Sequence, residues 1–231
     1  AGEPTKGGYS VKEFFGELIV PLLSDLPAVH KLEFNGALRY ADYSNAVGSA
    51  WSYSAGLMYA PIEDITIRGQ YQRAVRAPTV NQLFAGQAVG FPVATDPCQT
   101  PEAASNATLR QTCLANGFPE ASLGKALPGA NSQIESRFGG NPDLTEEKAD
   151  TYTIGAVIQP RFLPRFSLTV DYYNIKIEDY IESPGTPAII AACYGNADNN
   201  FTPYDPAMCA LAPRNPQSKL LEGVVNLNGN L

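Results

Sequence analysis

The chain has 231 residues, with 23 acidic and 16 basic side chains and a net charge of −7. Charged residues make up 17%, hydrophobic residues 44% and aromatic residues 10%. That composition excludes a disordered polyelectrolyte, and the net acidity argues against nucleic acid as a partner, because such proteins usually carry a basic domain or stripe.

The dominant hydrophobic period is two, which predicts strands. The first, near 11–20, sets Phe14, Gly16, Leu18 and Val20 against Glu13, Phe15, Glu17 and Ile19. The second, near 31–43, sets Leu32, Phe34, Leu38 and Tyr40 against Glu33, Asn35, Arg39 and Ala41. The third, near 51–60, opposes Trp51, Tyr53, Leu57 and Tyr59 to Ser52, Ser54 and Met58. The fourth, near 65–76, opposes Ile65, Ile67 and Tyr71 to Thr66, Arg68, Gln70 and Gln72. Two more follow near 150–160 and 166–180, where Tyr152, Ile154, Leu168, Val170 and Tyr172 oppose Thr151, Thr153, Thr169 and Asp171. A seventh is expected near 222–231, and the chain stops inside it, as a segment of a longer polypeptide would.

The links alternate in length. Short ones fall near Pro21–Val29, Pro61–Asp64 and Pro160–Arg165, each marked by proline or an acidic turn residue. Opposite them lie a modest link at 44–49 and two very long ones, 77–148 and 182–221. Ala-rich stretches at 101–116 and 187–194 are compatible with short helices. Compact domains rarely hold connections this long without structure of their own. Outer-membrane barrels pair short periplasmic turns with long outer loops.

Four cysteines allow three pairings. Cys98 and Cys113 lie close together in the first long link, and Cys193 and Cys209 in the second. Two local bridges are therefore the expected arrangement, in an oxidising compartment; four reduced thiols are the alternative. With one histidine, no Cys/His zinc site of the usual spacing can form, and no cofactor motif is present.

Period two fits two architectures. In a soluble sandwich the apolar face builds a core; in a large barrel it meets lipid and the polar face lines the lumen. Strand length, aromatics near the strand ends and alternating links favour the second. The expected fold is all-β: an antiparallel transmembrane β-barrel segment, residues 1–231, with long outer loops. Its candidate lumen-facing residues are Glu33, Arg39, Arg68, Gln70, Gln72 and Asp171. Each is read either as a contact for substrate or an internal plug, or as cross-strand pairing in a wet interior.

Other polar groups carry less. His30 sits beside a short turn without a nucleophile, so no catalytic residues are expected and the chain is not read as an enzyme. Glu146, Glu147 and Asp150 offer carboxylates but no spaced calcium loop, so no metal site is assigned. Arg73, Arg76 and Arg137 are candidates for pairing with lipopolysaccharide phosphates or an anionic ligand.

Several segments, in order, resemble the barrel of TonB-dependent outer-membrane receptors: "VKEFFGELIVPLL" from Val11, "ALRYADY" from Ala37, and "LMYAP" with "ITIRGQYQRAVRAP" ending at Pro78. "NPDLTEEKADTYTIG" from Asn141 and "LTVDYYNIKIEDYI" from Leu168 complete the set. The resemblance implies part of a 22-stranded barrel closed by a plug in the bacterial outer membrane. It also implies energised uptake of a scarce ligand such as siderophore–iron, cobalamin or an oligosaccharide. The implied partners are outer-membrane lipid, a small-molecule or oligosaccharide ligand, and the TonB energy-transducing complex, reached through a plug domain absent from these residues. A passive porin-like channel and a soluble surface adhesin or binding β-sandwich are the alternatives.

Overall fold

The computed structural model describes residues 3–231. Four long strands open the fold: β1 (Val11–Leu26), β2 (Val29–Tyr43), β3 (Ser49–Ile62) and β4 (Ile65–Arg76). Next come α1 (Val80–Phe84), β5 (Ala88–Gly90), α2 (Glu102–Ser105), α3 (Ala107–Ala115) and β6 (Ser136–Gly139). The chain ends with β7 (Glu147–Ile158), β8 (Leu168–Glu178), β9 (Ile181–Glu182), α4 (Thr186–Tyr194), β10 (Val224–Leu227) and β11 (Gly229–Asn230). The described residues divide into two compact units: a sheet unit of residues 8–79, 142–181 and 230–231, and a loop unit of residues 3–7, 80–141 and 182–229.

The sheet unit is a six-stranded antiparallel sheet in the order β1-β2-β3-β4-β7-β8. Its strands outrun the sequence-predicted bounds at the short turns. β1 continues through Pro21 to Leu26, with a bulge between Pro21 and Leu23. Proline is tolerated there because a bulge absorbs the missing N–H. The first turn shrinks to Pro27 and Ala28, and the second to Glu63 and Asp64 after a bulge between Tyr59 and Ile62. β7 starts at Glu147 because residues 147–149 pair with Arg76, Val75 and Ala74 of β4. β8 ends early because Asp179 takes a φ of 57°, outside the strand region.

One registered row crosses the whole sheet: Pro21, Glu33, Met58, Arg68, Gly155 and Asp171. Gly155 has a reason to be glycine. A Cβ there would lie 1.8 Å from Asp171 Oδ1. Without it, Arg68 on β4 reaches over β7 and donates to Asp171 on β8, from Nη2 to Oδ2 at 2.7 Å and from Nε to Oδ1 at 3.1 Å.

The structure adds detail to these expectations. The residues expected as one partial-barrel domain hold two compact units. The long links, expected to hold short helices, carry α2, α3 and α4, and 80–141 and 182–229 share one hydrophobic core. The seventh strand, expected over 222–231, is shorter and does not join the six-stranded sheet. Instead β10 runs parallel to β6 in a three-stranded sheet of order β10-β6-β5. Val224 is buried there, and the buried Asn226 amide oxygen accepts from Ser183 Oγ at 2.6 Å and from Gly185 N at 2.9 Å. Alternation over these four residues satisfies either pairing; burial of Val224 and the hydrogen bonds of the buried Asn226 select this one.

The loop-unit core gathers Leu109, Phe118, Ile189, Tyr194, Ala212, Leu221 and the disulfides Cys98–Cys113 and Cys193–Cys209. Asn106 caps α3, its side chain accepting from Leu109 N at 2.9 Å. Gly195 ends α4 at a φ of 69°, where a Cβ would lie 2.4 Å from the Phe201 carbonyl carbon. At the centre, Arg214 grips Asp96 through Nη1 at 2.6 Å and Nη2 at 2.7 Å, and both side chains are buried, at 3% and 6% exposed. Its guanidinium lies 4.9 Å from the Phe118 ring centroid and 5.5 Å from that of Tyr194, and it also donates to Tyr194 Oη at 3.2 Å. Burial is the largest influence on Arg214 and opposes its charge, but the hydrogen bonds and charge attraction of Asp96 and Tyr194 together outweigh it and its pKa rises; burial also pushes the Tyr194 phenol up. A planar fork fits this carboxylate and these rings as a lysine ammonium does not.

Asp96→Ala should cost the loop unit about 3–5 kcal/mol by leaving a buried charge unpaired, whereas Asp96→Ala with Arg214→Met should recover most of it; hydrogen exchange in α3 and α4 reads both. Each bridge spans 15 or 16 residues, which corresponds to about 3 kcal/mol of stabilisation. Reduction should therefore speed proteolysis within 80–141 and 182–229 and spare the strands; equal cutting before and after would contradict that role. Gly155→Ala should displace Asp171 from Arg68 at a cost below about 1 kcal/mol, the pair being part-exposed. In that background Asp171→Ala should add no further loss, a double-mutant cycle read by thermal unfolding.

Candidate functional site

Strand partners in register share a face, so the pairing sorts every side chain of the sheet. Glu33, Arg39, Arg68, Gln70, Gln72 and Asp171 all fall on one face. Their charges are paired. Arg39 donates to Glu13 at 2.5 Å, Lys31 meets Glu33 at 2.8 Å, and Arg68 holds Asp171 as described. Arg76 pairs with Glu147 on the same face. Among the described residues, Gln70 and Gln72 keep their side-chain amides free. Ser52, Ser54, Thr151 and Thr153 complete this polar wall, and their place in the alternation makes them as legible as the glutamines.

The wall is polar on its central strands and apolar at its margins. Phe15 and Ile19 of β1 stand 80% and 69% exposed on this face, and Tyr173, Ile175 and Ile177 of β8 are exposed too. Both strands are edges of the described sheet.

The opposite face is apolar and carries a line of aromatics. Tyr40 packs on Trp51 with centroids 4.7 Å apart, Tyr53 lies 6.0 Å from Tyr71, and Tyr71 lies 4.7 Å from Tyr152. The line drops through the registered rows from Tyr40 and Trp51 to Tyr53, then to Tyr71 and Tyr152, then to Tyr172. A diagonal course is what a level belt of aromatics requires when strands are tilted. One row beyond Tyr71 the face becomes charged: Arg73 donates to Asp150 at 2.8 and 2.5 Å, and Tyr71 Oη donates to the same carboxylate at 2.7 Å.

These contacts redistribute the remaining candidates. Arg73 and Arg76 are held by Asp150 and Glu147 rather than presented to an anion, and Lys148 meets Glu146 at 3.2 Å. The acidic run of 146–150 is thus occupied by cationic partners. Arg137 is exposed on β6 of the loop unit. His30 lies 3.7 Å from Asp25 beside the first turn.

The loop unit contains a cleft of about 460 Å³ bordered by Phe91, Asp96, Asn131, Gln133, Glu135 and Leu220. Sequence reasoning missed it because its walls come from both long links. Asp96 is already taken by Arg214, and the Glu222 carboxylate accepts from Asn215 Nδ2 at 2.7 Å and Ser218 Oγ at 3.1 Å. Glu135 remains exposed at the rim.

The family model described as TonB dependent receptor-like, beta-barrel, matches residues 3–207. No curated protein sequence is detectably similar to the chain. Among solved structures, a mutant ferric enterobactin receptor (PfeA) from Pseudomonas aeruginosa, in complex with enterobactin, superposes with a TM-score of 0.55 at 16% identity, covering 96% of this chain and 22% of that one. A second mutant of that receptor gives a TM-score of 0.54 at 16% identity, with the same coverage. At this identity the likeness shows the fold, and the chain spans about a fifth of the length of those receptors. With the family match covering most of the chain and the sheet sorted into a polar and an apolar face, the chain belongs to the TonB-dependent receptor β-barrel family.

Proposed function

We propose that this chain is a sector of the barrel wall of a TonB-dependent outer-membrane receptor, and that the complete polypeptide takes up a scarce small-molecule or oligosaccharide ligand using energy relayed through TonB. The observation that carries this reading is the sorting of side chains by register. One face presents Arg39, Arg68, Gln70, Gln72 and Asp171, and the other presents leucine, isoleucine and a diagonal line of tyrosine and tryptophan. A sandwich would cover the apolar face with a second sheet; a membrane barrel leaves it to lipid. The family acts in transport and reception rather than in catalysis, and the paired charges of the inner face fit a wet wall that holds a plug or passes a ligand.

Siderophore–iron heads the list of ligands to test, because the solved structures of like fold are siderophore receptors. The test expresses the full-length polypeptide in a host lacking its own receptors, with and without TonB. Uptake of ferric siderophores, cobalamin and oligosaccharides is then measured. Recovery in the outer membrane and TonB-dependent accumulation of one ligand are expected. Accumulation that ignores TonB would make the protein a passive channel, and recovery in the aqueous fraction as a monomer would favour the adhesin.

A further inference from the structure

The three short turns of the sheet differ in chemistry. β1 and β2 are joined by Pro27 and Ala28, and β3 and β4 by Glu63 and Asp64. Between β7 and β8, residues 159–167 read Gln-Pro-Arg-Phe-Leu-Pro-Arg-Phe-Ser, with the tripeptide Pro-Arg-Phe at 160–162 and again at 164–166. A hairpin closes with two residues, and turns facing water favour glycine, asparagine and aspartate. This turn instead exposes Phe162 at 85%, Leu163 at 49% and Phe166 at 46%.

Its polar groups are unequal. Arg161 is committed to the neighbouring turn, forming an ion pair with Asp64 (Nε to Oδ1, 2.7 Å) and donating from Nη1 to Glu63 at 3.2 Å. Arg165 stands at a φ of 74° and has no side-chain partner among the described residues. The register links the turn to the apolar face. Ile158 pairs with Leu168 on that face, and the side chains of Gln159 and Ser167 meet at 3.4 Å on the other. Alternation then returns Phe166 to the apolar side.

We propose that this turn is an interfacial anchor. It seats Phe162, Leu163 and Phe166 at the boundary between headgroups and acyl chains, with the Arg165 guanidinium on a phospholipid phosphate. The inference rests on the reading of the sheet as a membrane wall. A lipid surface is the occupant favoured because the turn follows directly on Ile158 and Leu168 of the apolar face and combines exposed aromatic rings with a free cation, the pairing that suits a bilayer interface. A guanidinium matches phosphate geometry in its planar fork. Pro160 and Pro164 restrict the turn before it meets lipid, which reduces the entropy lost on insertion. Arg161, tied to Glu63 and Asp64, holds the turn against its neighbour along the rim.

The test uses the full-length receptor in vesicles containing phosphatidylglycerol, with a nitroxide label at one introduced cysteine at a time. Collision with oxygen, which concentrates in the acyl region, is compared with collision with a water-soluble nickel chelate. Labels at Phe162→Cys and Leu163→Cys should show an oxygen-to-nickel ratio several-fold above that at Glu63→Cys in the adjacent turn, approaching that of Leu57→Cys on the apolar face. Ratios equal to that of Glu63→Cys, with the Leu57 label still in lipid, would overturn the anchor and leave the barrel reading intact. A Leu57 label in water would remove both. Adding Arg165→Gln should lower the ratio at Leu163→Cys; an unchanged ratio would overturn the phosphate contact.

Discussion

The antiparallel hydrogen-bond ladder through β1, β2, β3, β4, β7 and β8 governs the rest of the sheet unit. Because side chains alternate along each strand, the pairing of Arg68 with Gly155, and of Gly155 with Asp171, assigns a face to every residue on three strands at once. A slip of one residue in β7 would place Ile154 beside Gln70 and Thr153 beside Tyr71, mixing the two faces. Polar wall and apolar belt are therefore one property viewed from two sides.

The same ladder explains why small residues recur where charges must cross strands. Arg68 spans β7 because Gly155 has no side chain, and Asn35 leans over Gly56, where a Cβ would lie 2.4 Å from its Oδ1. Arg68 next to Gly155 lets the polar face satisfy a charge across strands laterally. Such pairs are part-exposed and add little stability each. Their effect is to hold a polar surface in a defined arrangement.

The loop unit follows a different logic. Its two segments are separated in the chain by β7 and β8, and they meet through a core, a parallel strand pair and the ion pair of Asp96 with Arg214. Two disulfides each close a stretch within one segment. The bridges limit each segment, whereas the buried ion pair joins one to the other. This division lets long connections behave as a folded body.

Period-two alternation in the sequence determined the six long strands, their two faces and the grouping of Glu33, Arg39, Arg68, Gln70, Gln72 and Asp171, because pleat geometry is local and repeats every two residues. Cysteine spacing likewise pointed to the two bridges. Tertiary structure decided what depends on distant partners. It continued β1 past Pro21, because a bulge absorbs the missing donor. It assigned β10 to the loop unit rather than to the large sheet, because Asn226 and Val224 find buried partners beside β6. It turned Arg73 and Arg76 into ion-pair members, and it joined Asp96 to Arg214 across 118 positions of chain. Local sequence encodes alternation and turn chemistry; which distant carboxylate meets a guanidinium, and which strand a short apolar run joins, is set by packing across the fold.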